Sequence, residues 1–178
     1  MSLTKLNNQS LTAVTSAGLP SGTVLQVIQD IETAAGSESL NIGVFSAAIL
    51  SATITPFSSS SKILVFCSLH LSTGVQTAGA AALLKRGSTA IGLGDAFGSG
   101  RQATGGGMGA GVSNRLISNI SMTVLDTPST TSAITYTAHG GHGFNSSQDL
   151  YWNREQRTTE NASHSRVSST LTLMEIAG

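Results

Sequence analysis

The sequence predicts an all-β fold, an antiparallel β-sandwich or jelly roll with a short N-terminal arm. Three observations carry that prediction. Short runs rich in apolar and β-branched residues recur along the 178 residues, with clusters of Ser, Thr, Gly and Pro between them. Helix formers such as Glu and Lys are scarce, and Gly, Ser or Thr interrupts every helical window. The length suits one domain with its own core, and eight or nine strands within one domain imply two stacked sheets.

Residues 1–21 differ from the remainder. Leu3, Leu6 and Leu11 stand among polar residues until Gly18, Pro20 and Gly22 mark a boundary. So few apolar side chains cannot build a core, so this segment reads as an arm that orders against something else, or as a disordered leader. Residues 22–178 form the sandwich, with strands expected at "TVLQVIQDI", "AAILSATITP", "KILVFCSLHL", "AALLKR", "TAIGL", "LISNISMTVLD", "AITYTAH", "DLYWNR" and "VSSTLTLMEI". The separating clusters "FSSSSK", "RGST", "DTPSTTS", "GGHG", "FNSSQD" and "EQRTTENASHS" read as turns and loops.

Two of these strands are apolar on both faces. In "KILVFCSLHL", Ile63, Val65, Cys67 and Leu69 share one face, while Leu64, Phe66 and His70 fall on the other. The last strand puts Thr170, Thr172, Met174 and Ile176 opposite Leu171, Leu173 and Glu175. A second apolar face asks for a cover, and another subunit is the expected one. A strand running almost to Gly178 is expected to lie inside a sheet, buried by neighbours or by subunit contacts.

The Gly-rich centre, "GLGDAFGSGRQATGGGMGAGVSNR", is the least strand-like part. It lacks GxxxxGK[ST] and the strand–glycine–helix order of a dinucleotide site, so it reads as an exposed loop.

Charge and composition exclude several classes. Nine basic and nine acidic residues give a formal net charge of zero, which provides no field to hold nucleic acid or an anionic membrane. Charged residues make up only 10% of the chain, so the polar surface comes from Ser and Thr, about a quarter of all residues. Apolar runs are far shorter than the roughly 20 residues of a membrane helix, and no basic-then-apolar leader opens the chain. The lone Cys67 cannot form an internal disulfide and reads as a small core residue.

The chemistry-bearing residues are few. His139 and His142 in "HGGH" are the candidate metal ligands, with His164 or His70 as a third, against the alternative of solvent-exposed loop histidines. No carboxylate or cysteine completes a set, so neither metal nor cofactor is expected. GxSxG is missing and the acidic residues show no paired spacing, so no catalytic residue is assigned and no enzymatic activity is expected. Tyr151, Trp152, Asn153 and Arg154 are the candidate binding residues. Rings beside an amide and a guanidinium suit a carbohydrate, whereas simple alternation puts one ring in the core and the other at a subunit contact. The sequons at Asn8, Asn119, Asn145 and Asn161 are those expected by chance in a Ser- and Thr-rich chain.

Several stretches carry a family resemblance: "SGTVLQVIQ", "TITPFSSSSKILV", "RGSTAIGLGDA" with the arginine of "GSGRQAT", "LDTPSTTSAITYT", "YWNREQ" and "STLTLMEIAG". Together they resemble short virion proteins of tailed bacteriophages, many from marine and cyanobacterial hosts, usually labelled tail fibre or structural protein. The arm "LTKLNNQSLTA" is similar to N-terminal starts of phage fibre proteins. The family usually has a small aliphatic residue at the position of Trp152 and a shorter central loop.

The resemblance implies a homotrimeric jelly-roll-like sandwich at the outer part of a virion appendage, made in the host cytoplasm. Other virion proteins would hold it through residues 1–21. Loops such as 98–115 and 140–165 would meet a host-surface glycan or protein. A capsid decoration protein and a soluble lectin are the alternative expectations.

Overall fold

In the computed structural model of the chain every strand pairing is antiparallel, and the strands form two packed sheets. The structure describes residues 19–75, 78–107, 116–144, 146–156, 162 and 164–178. Among them are eleven strands: β1 (Val24–Glu32), β2 (Gly36–Leu40), β3 (Leu50–Ile54), β4 (Lys62–Thr73), β5 (Ala80–Arg86), β6 (Thr89–Ile91), β7 (Gly105–Gly107), β8 (Ser118–Asp126), β9 (Ile134–His142), β10 (Gln148–Trp152) and β11 (Ser169–Ile176). Of the arm expected over residues 1–21, residues 1–18 lie outside the described residues; a turn from Pro20 to Thr23 leads into β1.

The first sheet is built around β4, the longest strand. β8 runs along one edge of β4 from Ile63 to Leu71. The other edge is shared: β11 pairs with Lys62 to Ser68, and β10 pairs with Leu71 to Thr73. β10 and β11 therefore lie in line, and the chain leaves the sheet after β10 and re-enters it at β11. Outside them β1 pairs with β11, and β2 pairs with β10. The second sheet runs β3–β9–β5–β6, with β7 also on β5.

Inward-facing residues from both sheets make one core. Ile63, Val65, Cys67, Leu69 and Leu71 of β4, with Leu171 and Leu173 of β11, meet Leu50 and Ile54 of β3, Leu84 of β5 and Tyr136 of β9. The period of two dictates this, because one face of each strand must be withdrawn from water. Cys67 is buried as its neighbours predict, and burial pushes its thiol up to about 12, far from reactive.

Polar side chains finish the frame where ladders stop. At the exposed edge of β3, the Asp30 carboxylate accepts from Ser51 N–H at 2.8 Å and Gln26 Nε2 donates to Thr55 O at 2.8 Å, so β1 side chains cover that edge. Tyr136, fully buried, donates its hydroxyl to Asp126 Oδ2 at 2.7 Å, and Asp126 also takes Arg86 at 3.0 Å. The β5–β6 hairpin turns on two residues, with Gly87 at φ 57, the glycine-first turn that matches strand twist.

Three sequence expectations need correction. The cluster "GGHG" is not a turn: Gly140, Gly141 and His142 continue β9, because Ala80–Ala82 of β5 extends the ladder opposite them. The Gly-rich centre is not loop throughout, since Gly105–Gly107 forms β7 on Ala80–Ala82. Those glycines lie over β8, where a Cβ at Gly105 would come 2.8 Å from Ile120 and 2.9 Å from Met122. A strand can pack there only without side chains. Residues 140–165 are not a single loop, for they contain the end of β9 and all of β10.

Candidate functional site

Residues on the outer face of the first sheet form lines across it. Val27, Met174, Leu64 and Leu125 are consecutive partners on β1, β11, β4 and β8, so four apolar side chains stand in one row. Gln29, Thr172, Phe66 and Thr123 form the next row, and Ile31 begins a third. Beyond the first row Val24 faces Ile176, which faces Lys62. Val27, Ile31 and Leu125 are each more than half exposed, and Phe66 is 39% exposed. Across β1, β11, β4 and β8 the face thus holds an apolar row, hydroxyls beside it and Lys62 at one end, which is unusual for water contact.

The two candidate metal-ligating histidines lie on β9, three residues apart, and strand alternation sends them to opposite faces. They are buried instead of solvent-exposed in a loop, a further correction. His139 faces outward beneath the 42–49 segment. Its Nδ1 donates to Ser46 O at 2.9 Å and its Nε2 accepts from Thr137 Oγ1 at 2.9 Å, which fixes one neutral tautomer. His142 faces inward; Nε2 donates to Leu40 O at 3.0 Å, and Nδ1 accepts from Phe144 N–H. His70 is on the outer face of β4, opposite Asn119. Among the described residues no group of three potential ligands comes together.

Burial pushes His139 below its ordinary value of 6.5, with the Ser46 carbonyl acting in the other direction. The unfolded chain therefore takes up this proton first, and stability is lost as pH falls below about 6.5. Urea unfolding at pH 7 and pH 5.5 is expected to show a lower midpoint at 5.5, and His139→Asn should narrow that gap. An equal gap in the variant would remove His139 from the explanation.

The candidate binding residues are separated by the register. Trp152 packs against the core and lies over Gly36, whose missing Cβ leaves room for the indole. Tyr151 faces outward with the Arg154 guanidinium 4.7 Å from its ring centroid. Asn153 is fully buried and offers a ligand nothing, which corrects its place in a binding cluster. It occupies the point where the chain leaves the sheet, with φ 58. Its N–H donates to His70 O at 3.1 Å and its carbonyl accepts from Val167 N–H at 3.2 Å. Its side-chain oxygen accepts from Ser169 Oγ at 2.7 Å, and its Nδ2 donates to Glu32 O at 2.8 Å and Ala34 O at 3.1 Å. One amide thus joins the end of β10, the start of β11 and the bend between β1 and β2.

Two residues with distinctive surroundings had no site role assigned from the sequence. Glu175 is fully buried on the core face of β11, accepting from Phe57 N–H at 2.8 Å and from Gln26 Nε2 at 2.6 Å. Arg101 is half-buried, stacked 4.4 Å over Phe45, with Nη1 donating to Val44 O and Nη2 to His142 O. A sequence signal for Arg101 existed, because between Asp95 and Asn114 it is the sole charged residue. Comparison with known proteins adds no assignment: no protein-family model and no curated protein sequence matches the chain.

Proposed function

We propose that the chain is a non-enzymatic bacteriophage virion structural protein, whose sandwich assembles as a homotrimer in the outer part of a tail fibre or similar appendage and contacts the host surface. The observation that carries this reading is the apolar row Val27, Met174, Leu64 and Leu125, on a face that no other described strand covers. Burying such rows between subunits withdraws them from water, at about 25 cal/mol per Å² of apolar area. The resemblance to tailed-phage virion proteins supplies the virion and the number three. Residues 1–21 would dock on other virion proteins, and the parts of 98–115 and 140–165 that lie outside the strands would contact the host surface. Weak contacts repeated over three subunits would give avidity without a deep pocket.

Quantitative mass spectrometry of purified particles, referenced to the major capsid protein, is expected to count a small multiple of three copies. Copies near the capsid subunit number, or a third of it, would make the protein a head decoration instead, and absence from particles would overturn the reading. In sedimentation equilibrium the free protein should weigh three times its 18.1 kDa chain. Phe66→Glu, which puts a charge in the middle of the face, should bring that mass down to a single chain without changing the far-UV spectrum.

A further inference from the structure

The geometry points to a second site, separate from the apolar face: we propose that the hollow above Arg101 binds a carboxylate-bearing saccharide, the carboxylate seated on the guanidinium. The hollow measures about 430 Å³, and its lining includes Arg101 together with Ile42, Gly43, Ser99, His142 and Phe144. That volume lies in the ordinary range of small-ligand sites.

Arg101 is held rigidly by the fold. Its loop is drawn together by Gly100 N–H to Phe97 O at 2.9 Å and by Gln102 Nε2 to Gly94 O at 2.6 Å. The guanidinium then lies on Gly141, where any Cβ would come within 2.9 Å of Nη1, and against the Phe45 ring. Two of its five N–H groups donate to carbonyls, Val44 O at 3.2 Å and His142 O at 2.9 Å, and carbonyls supply no counter-charge.

The contrast with Arg86 is instructive. Arg86 is similarly shielded but has Asp126 at 3.0 Å, whereas among the described residues no carboxylate lies within ion-pair distance of Arg101. Burial also pushes the Arg101 guanidinium below its ordinary range. A fixed, partly dehydrated, uncompensated guanidinium is ready for a planar oxyanion, which it can meet with paired N–H groups. Around it the apolar Ile42 and Phe144 suit the C–H faces of a pyranose, and the Ser99 hydroxyl suits its hydroxyls. The choice of a saccharide rests on the host-surface reading above; the choice of a carboxylate rests on Arg101 itself.

The test uses the full chain and a galacturonate trimer, titrated by calorimetry and by amide chemical shifts. Binding should be at least tenfold weaker for the same trimer with its carboxyls methyl-esterified. Arg101→Gln should abolish it. So should Ile42→Glu, at a residue 63% exposed whose substitution leaves folding intact, by placing a negative charge on the hollow wall. Equal binding of the methyl ester, or no response at all from the acid, would overturn the site. Inorganic phosphate displacing the trimer at equal concentration would overturn the saccharide. A uronate-binding protein missing from particles would leave this site standing and remove the virion role; a particle protein that ignores the trimer would do the reverse.

Discussion

Replacing Asn153 with alanine is expected to lower the free energy of unfolding by about 4 kcal/mol or more, the largest effect of any single substitution considered. The variant removes three side-chain hydrogen bonds, from Ser169 and to Glu32 and Ala34, in a fully buried position. Each buried hydrogen bond is worth about 1 kcal/mol, and each orphaned partner costs about 1–3 kcal/mol more. A backbone at φ 58 adds about 1 kcal/mol against alanine, since its Cβ crowds the carbonyl where asparagine gains local bonding. Asn153→Gly separates the terms: it loses the same hydrogen bonds and escapes the backbone strain, so it should recover about 1 kcal/mol over alanine. Urea midpoints for both variants provide the check. A loss below 1 kcal/mol in each would mean that the meeting point of β1, β2, β10 and β11 is held by the ladders alone.

The second large effect is expected at Glu175. Its carboxyl group is out of water between β11 and the 55–57 turn, with two donors aimed at it. Glu175→Leu preserves bulk and leaves the Phe57 N–H without an acceptor, a loss of about 2–3 kcal/mol. Glu175→Gln retains one carbonyl oxygen for Phe57 and turns an amide N–H₂ toward the amide of Gln26, so its loss should be about half as large. The double variant Gln26→Leu, Glu175→Leu completes a cycle. Recovery of part of the loss in the double variant would show that unsatisfied partners, and not lost volume, dominate; strict additivity would refute the coupling.

The parts of this fold that were legible beforehand are those whose side chains carry a period. Ile63, Val65, Cys67, Leu69 and Leu71 announce β4, and Leu171 and Leu173 announce β11, because burial of alternate residues is the force that makes them strands. β2 and β7 were illegible for opposite reasons. In β2, "GSESL" has only Leu40 to bury, and pairing with β10 supplies what its composition does not. In β7 three glycines carry no pattern, and their place is dictated by Ile120 and Met122 on another sheet. Long-range register also decided the candidate sites. Histidines flanking two glycines look like a turn until Ala80–Ala82 is placed opposite. The cluster from Tyr151 to Arg154 looks like one surface until alternation and φ 58 divide it. Arg101 announced itself only as an isolated cation, and its partners, Val44, Phe45 and Gly141, are distant in sequence.

The in-line placement of β10 and β11 has a consequence for the length of chain between them. The excursion between Asn153 and Ser169 begins and ends at neighbouring positions along β4, and the 2.7 Å hydrogen bond between those two residues closes its base. The pairing of β10 and β11 with β4 is made by residues 150–152 and 170–176, all outside the excursion. Doubling the length of a loop whose ends are already fixed costs only about 0.6 kcal/mol of closure entropy. The base thus fixes both ends of the excursion, so that its length can change while the ladders below keep their register. A frame built in this way tolerates a change of length between β10 and β11 far better than a change of register within them.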